Sequence, residues 1–238
     1  MTLKVLAIET SMGETSVAVL ASDAAGSARV SARHLQQERT QAETLIPLVS
    51  DVMAESGLTF RDLDRIAVCI GPGGFSSIRV GVAAARGIGL AAGKPVVGAT
   101  SFRIMARDVL ENRGHPHEHH GFGLAIPAGQ GALFCQAFTC CGGEASEIVV
   151  LADDEAPEWF AKRVSSVAGP AALRVAQSAA KRGVSVAAGV EVLAPNAETL
   201  SKMAADLDPA ADLPLPMYIR PADAKPQTAG IVPRKDKG

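Results

Sequence analysis

The stretch Ile66-Ala67-Val68-Cys69-Ile70-Gly71-Pro72-Gly73-Gly74-Phe75-Ser76-Ser77-Ile78-Arg79-Val80-Gly81 joins an unbroken apolar run to a glycine-rich turn and then to residues of helical spacing. The apolar run has strand length and ends in glycine and proline, which reads as a strand buried on both faces of a sheet. Pro72 fixes its own φ and lacks a backbone donor, while Gly73 and Gly74 tolerate positive φ, so the backbone folds sharply here. Ser76 or Ser77 is placed to cap the helix that follows, whose opening amides then point back at the loop. Strand, turn and helix N-terminus together offer a seat for an anion or a carbonyl group; they equally make a tight βα connection with no ligand. The motif is not a P-loop, because no Gly-Lys-Ser or Gly-Lys-Thr closes it. Nor is it a dinucleotide fingerprint or the Gly-x-Ser-x-Gly elbow of a serine nucleophile.

Along the helix, Gly81, Ala85 and Gly89 recur at i, i+4 and i+8, so one face carries almost no side chain, and Ile78 and Val82 lie near that face. Gly81, Gly87 and Gly89 each cost about 1 kcal/mol relative to alanine. Packing must replace what propensity lacks. The thin face either lies against the protein's own sheet or meets a helix of another subunit.

Of 238 residues, 47% are hydrophobic and 20% charged, enough for one large or two small domains with real cores. Aromatic residues are only 4%, and alanine, valine and glycine fill the gap, which suits helices laid closely on sheets. A net charge of −2 gives no overall field to hold nucleic acid, so any RNA role is indirect or local. Cys69, Cys135, Cys140 and Cys141 form no Cys-x-x-Cys pair, and reduced thiols in a cytoplasmic protein without a structural metal are expected. Neither the N-terminus nor Val80 to Gly93, interrupted by Arg86, has the length and character of a leader or a membrane span.

Val5 to Glu9 reads as a buried first strand, Ser16 to Leu20 as its antiparallel return and Ala28 to Leu35 as a third strand with one wet face. Thr40-Gln41-Ala42-Glu43 fits a capping box, and Leu45, Leu48, Val49, Val52 and Met53 follow helical spacing up to Gly57. Pro47 inside that run predicts a kink near Glu43 to Pro47. After the central strand and the small-faced helix, Val96 to Ala99 makes another strand and Ser101 caps a helix from Phe102 to about Asn112. The order is βββαβαβα.

Residues 113–121 hold four of the five histidines, and His115-x-x-Glu118-His119 matches an inverted zinc-protease pattern. That chemistry needs a helix to align its ligands; Pro116 and the flanking glycines deny it, so the segment reads as a solvated interdomain loop. In the second half, Phe122 to Ile126, Ala132 to Phe138 and Glu147 to Leu151 read as strands of a second sheet. Glu155 to Val164, Pro170 to Lys181 and Asn196 to Leu207 read as its helices. The division expected is a first lobe over 1–112, the loop over 113–121, a second lobe over 122–224 and a disordered basic tail over 225–238.

Ile66 to Gly81, the opening Leu6-Ala7-Ile8-Glu9-Thr10-Ser11, Gln41 to Leu48 with Pro47, and the closing Pro216-Met217-Tyr218-Ile219-Arg220-Pro221 together resemble the bacterial TsaB (YeaZ) family. Members are accessory subunits of the complex that makes threonylcarbamoyladenosine in tRNA. The resemblance implies an actin-like (ASKHA) α/β fold of two lobes, the second reduced, and a scaffold that activates a paralogue without catalysing a reaction. The implied partners are the catalytic paralogue TsaD and the ATPase TsaE, with tRNA met indirectly, a homodimer in their absence, and no membrane. ATP and magnesium are expected in the partner subunits, not on this chain. The pairing surface so implied comprises Gln41, Leu45 and Leu48 on one helix and Ile78, Gly81, Val82, Ala85 and Gly89 on the other. A vestigial phosphate loop would comprise Glu9, Thr10, Gly71, Gly73, Gly74 and Ser76.

The chain departs from the family pattern at Gly74-Phe75-Ser76-Ser77, at Arg39 where histidine is common, and at Ile126-Pro127-Ala128-Gly129-Gln130 where relatives often show an acidic turn. Proline cannot hold magnesium, which leaves Glu9 alone to face a metal. The alternative function is a stand-alone actin-fold ATPase or phosphotransferase.

Overall fold

The computed structural model describes residues 2–23, 27–36, 41–112 and 121–219. Five strands form the first sheet: β1 (Lys4–Glu9), β2 (Glu14–Ser22), β3 (Ala28–Gln36), β4 (Arg65–Cys69) and β5 (Val96–Ala99), in the order β3-β2-β1-β4-β5. β1 runs antiparallel to β2 and parallel to β4, with Leu6 opposite Val19 on one side and Ile66 on the other. Helices α1 (Gln41–Ser56), α2 (Phe75–Ala92) and α3 (Ser101–Asn112) complete the first half. The second half repeats the plan. β6 (Phe122–Gly129), β7 (Ala132–Phe138), β8 (Val149–Ala152), β9 (Ser166–Ala168) and β10 (Ala187–Ala188) lie in the order β8-β7-β6-β9-β10, with the same alternation of antiparallel and parallel pairs. Its helices are α4 (Ala156–Ala161), α5 (Ala172–Lys181) and α6 (Ala197–Met203). Two βββαβαβα units with one strand order make the actin-like, two-lobe α/β architecture; in the second, β7 to β10 are shorter than their counterparts while β6 is longer than β1.

Strand alternation decides which helix covers which face. In the first sheet Leu6, Ile8, Val17, Val19, Ile66 and Val68 point toward α1 and α2. The opposite face is built from smaller residues, Ala7, Ala18, Ala67 and Ala99 among them, and Ala197 and Leu200 of α6 pack there with Ala204, which follows the helix. α6 therefore covers the first sheet, not the second to which its place in the sequence assigns it. Apolar spacing marks a buried face but does not say against which sheet. α3 makes the reciprocal move: its Phe102, Met105 and Val109 pack on Phe122, Leu124 and Phe138 of the second sheet. α4 and α5 cover the outer face of that sheet around Phe160, Val175 and Ala179.

Residues beyond α6 also lie on the first lobe. Gly98 of the edge strand β5 donates its N–H to Asp212 O, and Met217 donates to Ile70 O, so this segment shields an otherwise unpaired edge. α1 is one element through Pro47. The expected capping residue Thr40, Arg39, the histidines of 115–120 and the tail from 220 lie outside the described residues.

Candidate functional site

β1 and β4 run parallel and side by side, which brings the residues following each strand together. The loop after β4 folds onto the turn after β1: Gly74 N–H donates to Ser11 O at 2.7 Å, and a Cβ on Gly73 would sit 2.1 Å from that same oxygen. From the other side, Ser101 N–H donates to Gly71 O and its hydroxyl to Pro72 O, each at 2.8 Å. Thr10 Oγ1 donates to Ser77 O at 2.7 Å and ties the turn to α2. Neither Ser76 nor Ser77 caps α2; Gly74 occupies the N-cap and makes no side-chain bond. At the next helix Thr100 supplies the capping hydroxyl, accepting from Arg103 N–H, and Ser101 is released to hold the loop.

Glu9 lies completely buried beneath this junction. Its Oε1 accepts from both the amide and the hydroxyl of Ser11, while Oε2 is without a hydrogen-bond partner. Burial pushes its carboxyl up to about 7 against the opposing pull of Ser11. Cys69, whose Sγ is 3.3 Å from Ser101 Oγ, is pushed up to about 12 by burial and by the neighbouring Glu9. The structure thus brings Glu9, Thr10, Gly71 and Gly73 together, with Gly74 and Ser76 at the exposed end. It does not open them to a phosphate: the Glu9 carboxyl faces Ser11 and Cys69, and the Gly74 amide is occupied by Ser11. In the second lobe, Gly129 to Gly131 form the β6–β7 hairpin turn, with Gln130 at φ 49° and Pro127 exposed, and no carboxylate stands between 126 and 131.

Sequence reasoning missed a bracket over the start of α2. Arg79 lies 3.7 Å above the Phe75 ring and donates to Tyr218 Oη at 2.8 Å, and the Phe75 and Tyr218 centroids are 5.4 Å apart. Asp212, paired with Arg103 at 2.7 Å, anchors the segment that delivers Tyr218. The available signal was the closing motif Pro216 to Pro221, with Tyr218 inside it.

The expected pairing residues require correction. Gln41, Leu45 and Leu48 of α1 and Ile78, Gly81, Val82, Ala85 and Gly89 of α2 are all buried within this chain. The thin stripe exists so that α2 can lie on its own sheet: a Cβ on Gly81 would come within 2.4 Å of Thr10 Oγ1, and one on Gly89 within 2.3 Å of Val96 Cγ2. The exposed side of α2 holds two small residues among the long Arg79 and Arg86. Ala83 and Gly87 are exposed, a Cβ on Gly87 would meet nothing within 4 Å, and Leu90 is 87% exposed. On α1, Pro47 is exposed beside Ile46, which is 51% exposed.

The family model for "TsaD: tRNA N6-adenosine threonylcarbamoyltransferase" matches residues 35–199. A relative from Escherichia coli, the tRNA threonylcarbamoyladenosine biosynthesis protein TsaB, is 29% identical over 112 residues, covering 47% of this chain and 46% of that protein. The chain belongs to the TsaD-like family that the family model describes. A tRNA N6-adenosine threonylcarbamoyltransferase from Erythrobacter litoralis is 35% identical over 109 residues, 39% of this chain and 30% of the relative. The chain thus spans just under half the length of that TsaB relative and under a third of this transferase. The solved structure of YeaZ from Pseudomonas aeruginosa superposes with a TM-score of 0.68 over 91% of this chain and 100% of that one, at 22% identity, and shares the fold of this family member.

Proposed function

We propose that the chain is a non-catalytic accessory subunit that docks on a TsaD-type paralogue and supports threonylcarbamoyl transfer to adenosine beside the tRNA anticodon. The observation that carries this reading is the exposed side of α2 around the small residues Ala83 and Gly87, with Leu90 one turn on. Apolar surface of this kind is seldom left wet, and a residue as small as glycine lets a second helix approach closely. The occupant is the outer helix pair of the paralogue, which the shared family domain equips with a similar surface. A TsaE-type ATPase joins the pair in the cytoplasm, ATP and magnesium reside in those subunits, and tRNA is met through the assembly. A homodimer uses the same side when the paralogue is absent.

Ala83→Arg and Gly87→Glu are expected to abolish co-elution with the TsaD-type subunit while leaving the chain folded, with the circular dichroism of the parent and a melting temperature no lower than the parent's. Retained co-elution of both variants refutes the surface. Reconstituted tRNA modification is expected to require this chain, whereas magnesium-dependent ATP turnover by the chain alone would support the phosphotransferase alternative. The sealed Glu9 favours the scaffold over that alternative, because a carboxyl enclosed by Ser11 and Cys69 cannot reach a bound nucleotide's metal.

A further inference from the structure

The turn after β7 carries two adjacent exposed thiols, Cys140 and Cys141, with sulfurs 3.7 Å apart. The turn is well fastened. Thr139 N–H donates to Gly143 O at 2.7 Å, Gly142 N–H to Thr139 O at 3.0 Å and Gly143 N–H to Thr139 Oγ1 at 2.9 Å. It also sits against α3, since a Cβ on Gly142 would come within 2.5 Å of the Leu110 side chain. Cys141 opens onto a cavity of about 510 Å³ whose walls include Arg103, Arg107, Leu110 and Glu144. The other two cysteines, Cys69 and Cys135, are buried and pushed up to about 12 by that burial, which keeps them protonated and out of reach.

We propose that Cys140 and Cys141 form a reversible dithiol that exchanges with low-molecular-weight disulfides, the cavity beside Cys141 receiving the bulk of the reagent. The thiolate of one cysteine attacks the reagent disulfide, whose S–S bond breaks; one half leaves as a thiolate and the other stays as a mixed disulfide. The neighbouring thiolate then attacks the protein-side sulfur of that bond and expels the second half. Two protein thiols are oxidised to one disulfide, and the reagent disulfide is reduced to two thiols. Adjacent Cα atoms lie about 3.8 Å apart across a trans peptide, below the usual 4.4 Å lower limit for a bridge, so the closed ring is strained and readily reduced. Strain makes the pair a switch and not a staple. Cys140 holds the thiol of Cys141 above the usual range through hydrogen bonding and charge, so the two protons leave one at a time and the second thiol stays available as a donor. Arg103 is already paired with Asp212 and Arg107 with Glu111, and Glu144 shares the wall, so the cavity selects by space and not by charge.

The test is intact-protein mass spectrometry of the native full chain with glutathione disulfide as the probe. The expected product lacks two hydrogens, maps to the peptide holding Cys140 and Cys141, and is reversed by dithiothreitol. Cys140→Ser and Cys141→Ser should each stop at one stable glutathione adduct, accumulating roughly tenfold more mixed disulfide than the unaltered chain. Independent glutathionylation of both thiols, oxidation mapping to Cys69 or Cys135, or no reaction of the exposed pair overturns the proposal.

Discussion

Gly73→Ala is expected to cost about 3 kcal/mol or more of folding stability, the largest loss of any single methyl addition considered. The new Cβ would sit 2.1 Å from Ser11 O and 2.9 Å from Ser11 C, and both belong to the backbone, so no rotamer change relieves the overlap. The loop must lift, which breaks the Gly74 to Ser11 bond and pulls on the two bonds from Ser101. Glu9 then loses the enclosure that Ser11 provides. Gly87→Ala is the control: its Cβ meets nothing within 4 Å in the middle of a helix, so it should gain up to about 1 kcal/mol. Urea midpoints of the two variants should move in opposite directions. A Gly73→Ala midpoint equal to that of the parent chain would mean the loop does not rest on Ser11.

The second large effect is the pH dependence that Glu9 builds into stability. Its folded pKa of about 7 exceeds the 4.5 of an ordinary glutamate, so between those values the unfolded chain ionises while the folded chain keeps its proton. Stability contributed by the protonated form is complete below pH 4.5, falls as pH rises toward 7, and is flat above. The full span is up to about 3 kcal/mol. Glu9→Gln presents a neutral group whose oxygen still accepts from Ser11 and removes this term, at the cost of an amide nitrogen without a partner. The variant should gain about 1–2 kcal/mol on the parent chain at pH 8 and lose about 1–2 kcal/mol at pH 4.5, where only the cost of the unpaired amide remains. Parallel pH profiles for the two proteins would show that Glu9 does not titrate differently in the fold.

Much of this architecture was legible in the sequence, and the exceptions share a cause. The apolar runs at Val5 and Ile66, the glycine turn and the helices after it declared themselves by period and by turn chemistry. β9 and β10, three and two residues long, offered no period to read. The side of α2 that faces the core was misassigned because Gly81, Ala85 and Gly89 state only that something comes close; Thr10, distant in sequence, and Val96, on the following strand, turn out to be what does. The exposed side also holds the small Ala83 and Gly87, but Arg79, Arg86 and Leu90 stand among them. Likewise Ser101 looked like a cap because its distance to Pro72 is not a property of the local sequence.

The exchange of α3 and α6 between the sheets means the halves are interlocked parts of a single cooperative structure, despite their matching topologies. A fragment ending at residue 112 would leave Ala7, Ala67 and Ala99 bare where Leu200 and Ala204 belong, and its own α3 would have no second sheet to rest on. Either piece made alone should aggregate, and the two made together should rescue each other. Any ancestral single-lobe version of this protein would therefore have had to exist as a dimer that swapped its third helix.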